Sequence, residues 1–220
     1  MNPNNHTPRF GLVLTVARLL LVPALAALAS GCAHTMNVNV KPATLAPCAK
    51  LPARVALVLN KDFTEYTHTM HMMGDSFVSR LGPPLQDYAK NVTQHVFTEV
   101  SVHPTAAEAA GKADAILIPK VTKFDESYGL WAASKHQTVM IMEWNLKDRD
   151  NQKDLWLDSI DARGEGKMGN AFTFKSNHLK VLQSLFDDLS AKTQKALLES
   201  PEIRQIGSGA TRPPDARVLP

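Results

Sequence analysis

The side chains best equipped for chemistry sit close together early in the chain. His68, Met70 and His71 fall within four residues, followed by Met72 and Met73, and Ser76 comes soon after. Imidazole and thioether are soft donors that together suit a metal such as copper(I). On a helix His68 and His71 share a face, whereas on a strand they face opposite sides. His68, Met70 and His71 are therefore candidate copper ligands. The competing expectation is a partly buried surface that uses methionine as adaptable filler.

Ser76 raises a second possibility. Gly74-Asp75-Ser76-Phe77 resembles the block that opens GDSL-type esterases, in which the serine is the nucleophile and an Asp-x-x-His motif near the C-terminus supplies the base. No histidine here has an aspartate three residues before it: Lys175 stands before His178 and Ala133 before His136. A serine hydroxyl without a base beside it is a poor nucleophile. Gly164-x-Gly166-x-x-Gly169 formally matches the dinucleotide fingerprint, but Phe172-Thr173-Phe174 intervene before the next helix, so it opens no βαβ unit. These glycines are expected to let the chain turn, and no cofactor is expected. Asp125, Glu126, Asp158, Asp161 and Glu165 are scattered over strands and read as one hydrated sheet face. Trp131, Trp144 and Trp156 lie on or near a hairpin and are expected to pack in the core. None of these groups completes a catalytic constellation, and the chain is read as non-catalytic.

The elements that hold these residues follow from periodicity. Arg54 to Leu59 is almost continuously apolar and reads as a strand covered on both faces. Pro83 and Pro84 suit a first helical turn, after which Leu85, Tyr88, Ala89, Val92 and Val96 recur at helical spacing. Phe97 to Val102 alternates as a short strand, and Ala106 to Ala110 suits a turn of helix. Asp114 to Tyr128 is a strong strand in which Pro119 argues for an edge position or a bulge. His136 to Lys147 alternates again, Asp148 to Lys153 turns, and Leu155 to Gly164 returns as the second arm of a hairpin. Ser176 or Asn177 can cap a second long helix carrying Leu179, Leu182, Leu185, Phe186, Leu189, Ala196 and Leu197, and Pro201 ends it. This order predicts an α+β two-layer sandwich: a mixed, mostly antiparallel β-sheet with two main helices packed on one face. The segment 201–220, rich in Gly, Pro and Arg, reads as a disordered tail.

The beginning of the chain supplies an address. Arg9 and Arg18 precede an apolar run, LLLVPALAALASGC, that is shorter than the roughly 20 residues needed to span a bilayer. Small residues follow and the run stops at Cys32, the layout of a secretory signal over 1–31. Ala29-Ser30-Gly31-Cys32 resembles the bacterial lipobox, which implies cleavage between Gly31 and Cys32 and lipidation (palmitate among the acyl groups) of Cys32. Ala33, rather than an aspartate, follows that cysteine, and the resemblance then implies sorting to the outer membrane with the domain facing the periplasm. Cleavage would remove Arg9 and Arg18 and no acid, leaving 22 Lys and Arg of 24 against 21 Asp and Glu. The near-neutral balance excludes the basic footprint of a nucleic-acid binder. A thioether-linked Cys32 cannot pair, so Cys48 is expected as a spare thiol. Residues 32–52, with Pro42, Pro47 and Pro52, read as the lipidated cysteine and a flexible tether that reaches about 65 Å when extended. The periplasmic domain is then 53–200.

A lipobox, the RVALVL strand, a helix running into FTEVSV, then ADAILIPKV and a hairpin resemble small envelope lipoproteins that share an α/β sandwich and serve lipopolysaccharide assembly, curli secretion or transport. The resemblance, over roughly 53–200, implies a lipid-anchored binding or scaffold protein with the membrane and an envelope protein as partners. The alternative is a periplasmic copper binder or a hydrolase centred on residues 68–76.

Overall fold

Residues 33–72, 75–129, 134–170 and 172–207 are described by the computed structural model. Gly31, Cys32 and the signal segment lie outside them, as do Gly74, Trp131 and residues 208–220. The described chain falls into two units. One contains residues up to Thr35 together with Thr69–Val78; the other contains Met36–His68 and everything from Ser79 onward.

The larger unit is built on a five-stranded sheet. β2 (Leu51–Val58) is central because its apolar residues alternate onto two covered faces. It pairs in parallel with β5 (Phe97–His103) on one side and with β6 (Ala115–Tyr128) on the other. Antiparallel pairing then carries the sheet through β7 (Lys135–Asp148) to β8 (Asp154–Lys167), giving the order β5-β2-β6-β7-β8. The three long strands β6, β7 and β8 form a meander in which alternate residues of β7 are buried from His136 to Leu146. Pairing between β2 and β6 ends at Leu117, so Pro119 stands where β6 has one neighbour and its missing N–H breaks no ladder. A register shift follows between Val121 and Lys123.

Among the described residues five helices accompany the sheet. Asn60 caps α1 (Lys61–Thr64) by accepting a hydrogen bond from the Phe63 amide at 2.9 Å. α2 (Gly82–Val96) and α4 (Phe174–Glu199) cover one sheet face with their apolar stripes. Leu85, Tyr88, Val92, Leu182, Leu185, Phe186 and Leu189 meet Val55, Leu57, Met140, Met142 and Trp144 in the main core. On the opposite face α3 (Ala106–Ala109) covers Ala56, Val58 and Ile116. The α+β two-layer architecture is therefore as expected, with this short helix added on the second face. Helix α4 begins earlier than a cap at Ser176 or Asn177 implies, at Phe174, because Asn170 Oδ1 accepts from the Phe172 and Thr173 amides and sets the entry turn.

Two boundary expectations need correction. Pro201 ends α4 but also begins α5 (Pro201–Gly207), whose Ile203 is fully buried in the main core, so a disordered tail cannot start at 201. The segment before β2 is also no free tether: Ala33–Asn37 form a strand, Val38 is buried in the main core, and the second half is held as well. It runs as a strap along the helices, with Gln183 on α4 exchanging two hydrogen bonds with Lys41, at 2.7 and 3.0 Å. Gln194 does the same with Ala46, at 3.1 and 2.6 Å. Eleven helical residues rise about 16 Å, and five extended residues span about the same. The two glutamine amides therefore act like ladder partners for an extended chain. Asn91 and His95 on α2 hold the same strap through the Ala43 and Ala46 carbonyls, and Cys48, half-buried and free, donates weakly to the His95 carbonyl.

β1 (Ala33–Asn37), β4 (Asp75–Arg80) and β3 (Thr67–Met72) form a separate three-stranded sheet in the order β1-β4-β3. Within the smaller unit, His34 stacks on Phe77 with ring centroids 5.4 Å apart.

Candidate functional site

The periodicities that build the core of the larger unit also carry polar residues into it. On β6, Phe124, Glu126 and Tyr128 share the face turned toward α4. On β7 the buried even-numbered stripe of Leu146, Trp144, Met142 and Met140 continues into Thr138 and His136. On α4, His178 lies one turn before Leu182 on the buried stripe. The strand register sets Tyr128 opposite His136 and Glu126 opposite Thr138. Three elements thus deliver an acid and two imidazoles to one place.

The helix reaches that place because β8 has a gap in its side chains. Gly164 is opposite Thr138, and a Cβ there would lie 2.2 Å from the Val181 carbonyl oxygen and 2.9 Å from Leu185. The absence of a side chain lets α4 settle directly on the strand. Of the three glycines in the formal fingerprint only Gly169, at φ +81°, makes a turn. The expectation that all three turn the chain is corrected: Gly164 and Gly166 are strand residues under a helix.

At the centre, the side chains of Glu126, His136 and His178 are 2, 0 and 1% exposed. Glu126 Oε1 accepts from His136 Nε2 at 2.6 Å and lies 2.9 Å from His178 Nδ1. Despite that approach, His178 Nδ1 has no hydrogen-bond partner, and neither do Glu126 Oε2 and His136 Nδ1. The other ring nitrogen of His178 is held by Ser79 Oγ at 3.3 Å. His68 Nε2 stands 3.7 Å from Glu126 Oε2, its ring tilted over Phe124. The rings of His136 and His178 stack at 5.4 Å and 13°, and Phe174 stacks on both.

Burial opposes ionisation of Glu126 and is the largest influence on it, but the contacts from His136 and His178 together outweigh burial and bring its carboxyl to about 2. The carboxylate is consequently an anion inside the fold, and every ion-pair partner it has among the described residues is a histidine. Burial pushes His68 below the ordinary imidazole range, with the Glu126 charge offsetting only part of that push. Glu126, His136 and His178 place one ligand atom each within 4.8 Å of one another and could hold a metal ion.

The structure separates the residues that the sequence groups together. His68 belongs to the Glu126 cluster. His71 instead has its Nδ1 3.0 Å from Ser76 Oγ, in the smaller unit, and Met70 is buried on β3. For the candidate copper ligands, β3 sets His68 and Met70 on one face and His71 on the other, and of the three His68 is the one that joins an acid. The hydrated sheet face is also corrected for one member. Asp125, Asp161 and Glu165 do pair with the exposed partners Lys123, Arg163 and Lys135, whereas Glu126 is turned inward. Trp144 is fully buried against Tyr88, as a core tryptophan should be.

No protein-family model matches the chain, and no curated protein matches it. Among solved structures it is similar to a DUF330 family protein from Xanthomonas campestris, at 10% identity over 73% of this chain and 95% of that one, with a TM-score of 0.46. It is also similar to a minor lipoprotein from Acinetobacter baumannii, at 12% identity over 73% and 94% of the two chains and a TM-score of 0.38. A lipoprotein from Neisseria meningitidis is similar at 18% identity over 57% and 92%, with a TM-score of 0.31.

Proposed function

We propose that this chain is a lipid-anchored protein of the outer membrane, facing the periplasm, that works without catalysis by holding an envelope protein during assembly or transport. The observation that carries this reading is the run from the apolar segment to Ala29-Ser30-Gly31-Cys32, with Cys32 as the acylated residue after cleavage behind Gly31. No described helix is long and apolar enough to cross a membrane. The strap supports the same reading: Val38, buried in the main core, lies six residues from Cys32, so an anchor at Cys32 holds the larger unit within about 20 Å along the chain. Closure of the Glu126 cluster to solvent fits a structural role better than a substrate site.

Both edge strands offer contact surface. Val102 on β5 is 44% exposed and Leu157 on β8 is 58% exposed, and an unpaired edge is a ready surface for another chain. A photo-crosslinking side chain placed at either position in cells is expected to capture one discrete envelope protein, with the product in the outer-membrane fraction and lost when Cys32→Ser abolishes palmitate labelling. Release of the wild-type protein as an unlabelled soluble species, or no crosslink at either edge, would sink the proposal. A hydrolase acting through Ser76 has one observation in its favour, the 3.0 Å approach of His71. A fluorophosphonate probe that labels the wild type and not Ser76→Ala would select it.

A further inference from the structure

The buried anion has an unusual set of neighbours. Glu126 is surrounded by imidazoles from β3, β7 and α4 and by no lysine or arginine ion-pair partner among the described residues. A carboxylate so placed needs positive charge supplied either by protonating a histidine or by an ion.

The geometry at His178 favours the ion. Its Nε2 is tied to Ser79, which leaves Nδ1 as the nitrogen that faces the carboxylate. Nδ1 comes to 2.9 Å from Oε1 without making a hydrogen bond. Glu126, His136 and His178 each bring one ligand atom within 4.8 Å of the others, the arrangement of neighbouring ligands of one centre. A hydroxyl behind the second nitrogen of a ligating histidine is the usual way its ring and tautomer are fixed. Glu126 Oε2, buried and unpartnered, faces His68 Nε2.

We propose that Glu126, His136, His178 and His68 form a zinc-binding site, with Ser79 positioning His178. The donors are three nitrogens and one oxygen, the set that four-coordinate zinc takes, whereas copper(I) prefers the sulfur ligands that this cluster does not contain. Ligand atoms around tetrahedral zinc are about 3.3 Å apart. The present separations from the Glu126 carboxylate, 2.6, 2.9 and 3.7 Å, bracket that value. Glu126, His136 and His178 already bring one ligand atom each within 4.8 Å of one another, and His68 moves in from outside that trio to complete the set. The ion takes the place of the proton that His136 Nε2 donates to Glu126; the ring ligates as neutral imidazole with its one proton on Nδ1, and a second proton, where the ring is an imidazolium, leaves to solvent. His68, with 22% of its side chain exposed, is the member through which an ion enters. Bound there, zinc would fasten His68, the β6–β7 hairpin and the start of α4 to one point within the larger unit.

The test uses the full lipidated chain purified in detergent and stripped with a chelator. Titration with zinc is expected to give one equivalent, raise the thermal midpoint, and give the intense visible bands of a tetrahedral ion when cobalt(II) replaces zinc. Glu126→Gln or His136→Gln should lose the equivalent. Because those side chains are buried and either change could unfold the protein, two milder variants decide the matter. Ser79→Ala should weaken zinc by about 10- to 100-fold, and His68→Ala should weaken it and alter the cobalt spectrum, while His95→Ala changes neither. No uptake by folded wild type in micromolar zinc, or one equivalent held with unchanged affinity after both Ser79 and His68 are replaced, would overturn the site.

Discussion

At the scale of single residues, the cheapest positions to read are those that break a regular pattern. Gly164 interrupts β8 where α4 lies against it, and any Cβ must push the helix away. Gly164→Ala is expected to destabilise the protein by about 1–3 kcal/mol and to disturb His178 more than Trp144, which urea unfolding and histidine NMR shifts would register. A surface pair makes a different point. Asp114 accepts from the Arg54 guanidinium at 2.8 Å and from its backbone amide at 3.0 Å, and these contacts, above all the side-chain bond, hold its carboxyl below the usual carboxylate range. A depressed carboxyl stabilises the fold at pH values above its unfolded pKa, near 3.9, and that contribution is lost as pH falls through the lower folded value. The stability gap between wild type and Arg54→Ala should therefore narrow as pH drops from about 5 to 3, and the Asp114 midpoint followed by NMR should rise in the variant. A gap that widens on acidification would contradict the assignment. Glu126 lies in neither class. Its neighbours Asp125 and Ser127 are solvent-facing, and only the alternation from Phe124 through Glu126 to Tyr128 hinted that it points inward.

At the scale of elements, the strap is the part of the chain whose behaviour differs most from its composition. Proline-punctuated and polar, residues 38–50 have no apolar periodicity, yet Gln183 and Gln194 fasten them at two points one helical face apart. Gln194 is buried, so its loss leaves the Ala46 amide short of a partner. Two hydrogen bonds of about 0.5–1.5 kcal/mol each make Gln194→Ala worth about 1–3 kcal/mol. Amide hydrogen exchange should show faster exchange at Ala46 with the α4 amides unaffected; equal acceleration throughout α4 would mean that the side chain supports the helix rather than the strap. The signal for this device was present in the sequence as two glutamines spaced by three helical turns. A lone Gln on a helix ordinarily faces water, so nothing local marks either residue as a partner of the strap.

At the scale of the whole molecule, the larger unit closes its core with a segment that composition assigns to a tail. Ile203 on α5 is fully buried beside β2 and β8. Ile203→Ala is expected to cost about 2–5 kcal/mol and to lower the thermal midpoint by on the order of 10 °C. A shift near zero would return residues 201–207 to the periphery. The domain thus extends beyond Ser200 at one end and takes in the strap at the other. Val102 and Leu157 remain exposed on the two edge strands of the sheet.

The sequence by itself determined the elements and carries the run on which the envelope address is proposed. Periodicities of 2 and 3.6 are imposed by water on any segment with one buried face, so the β6–β8 meander, the two main helices and the α+β class were legible from residues a few positions apart. The lipobox-like run is likewise a local signal, read by a peptidase in an extended chain. Tertiary structure alone decided which polar residues meet. Glu126, His136 and His178 are separated by 10 and 42 positions, each at the polar end of an apolar stripe, and pair only because β6–β7 register and the close approach over Gly164 carry them together. His68 and His71 show the reverse, neighbours in the chain that strand geometry assigns to different partners. Contacts between distant residues depend on register and packing, and no short window of sequence contains either.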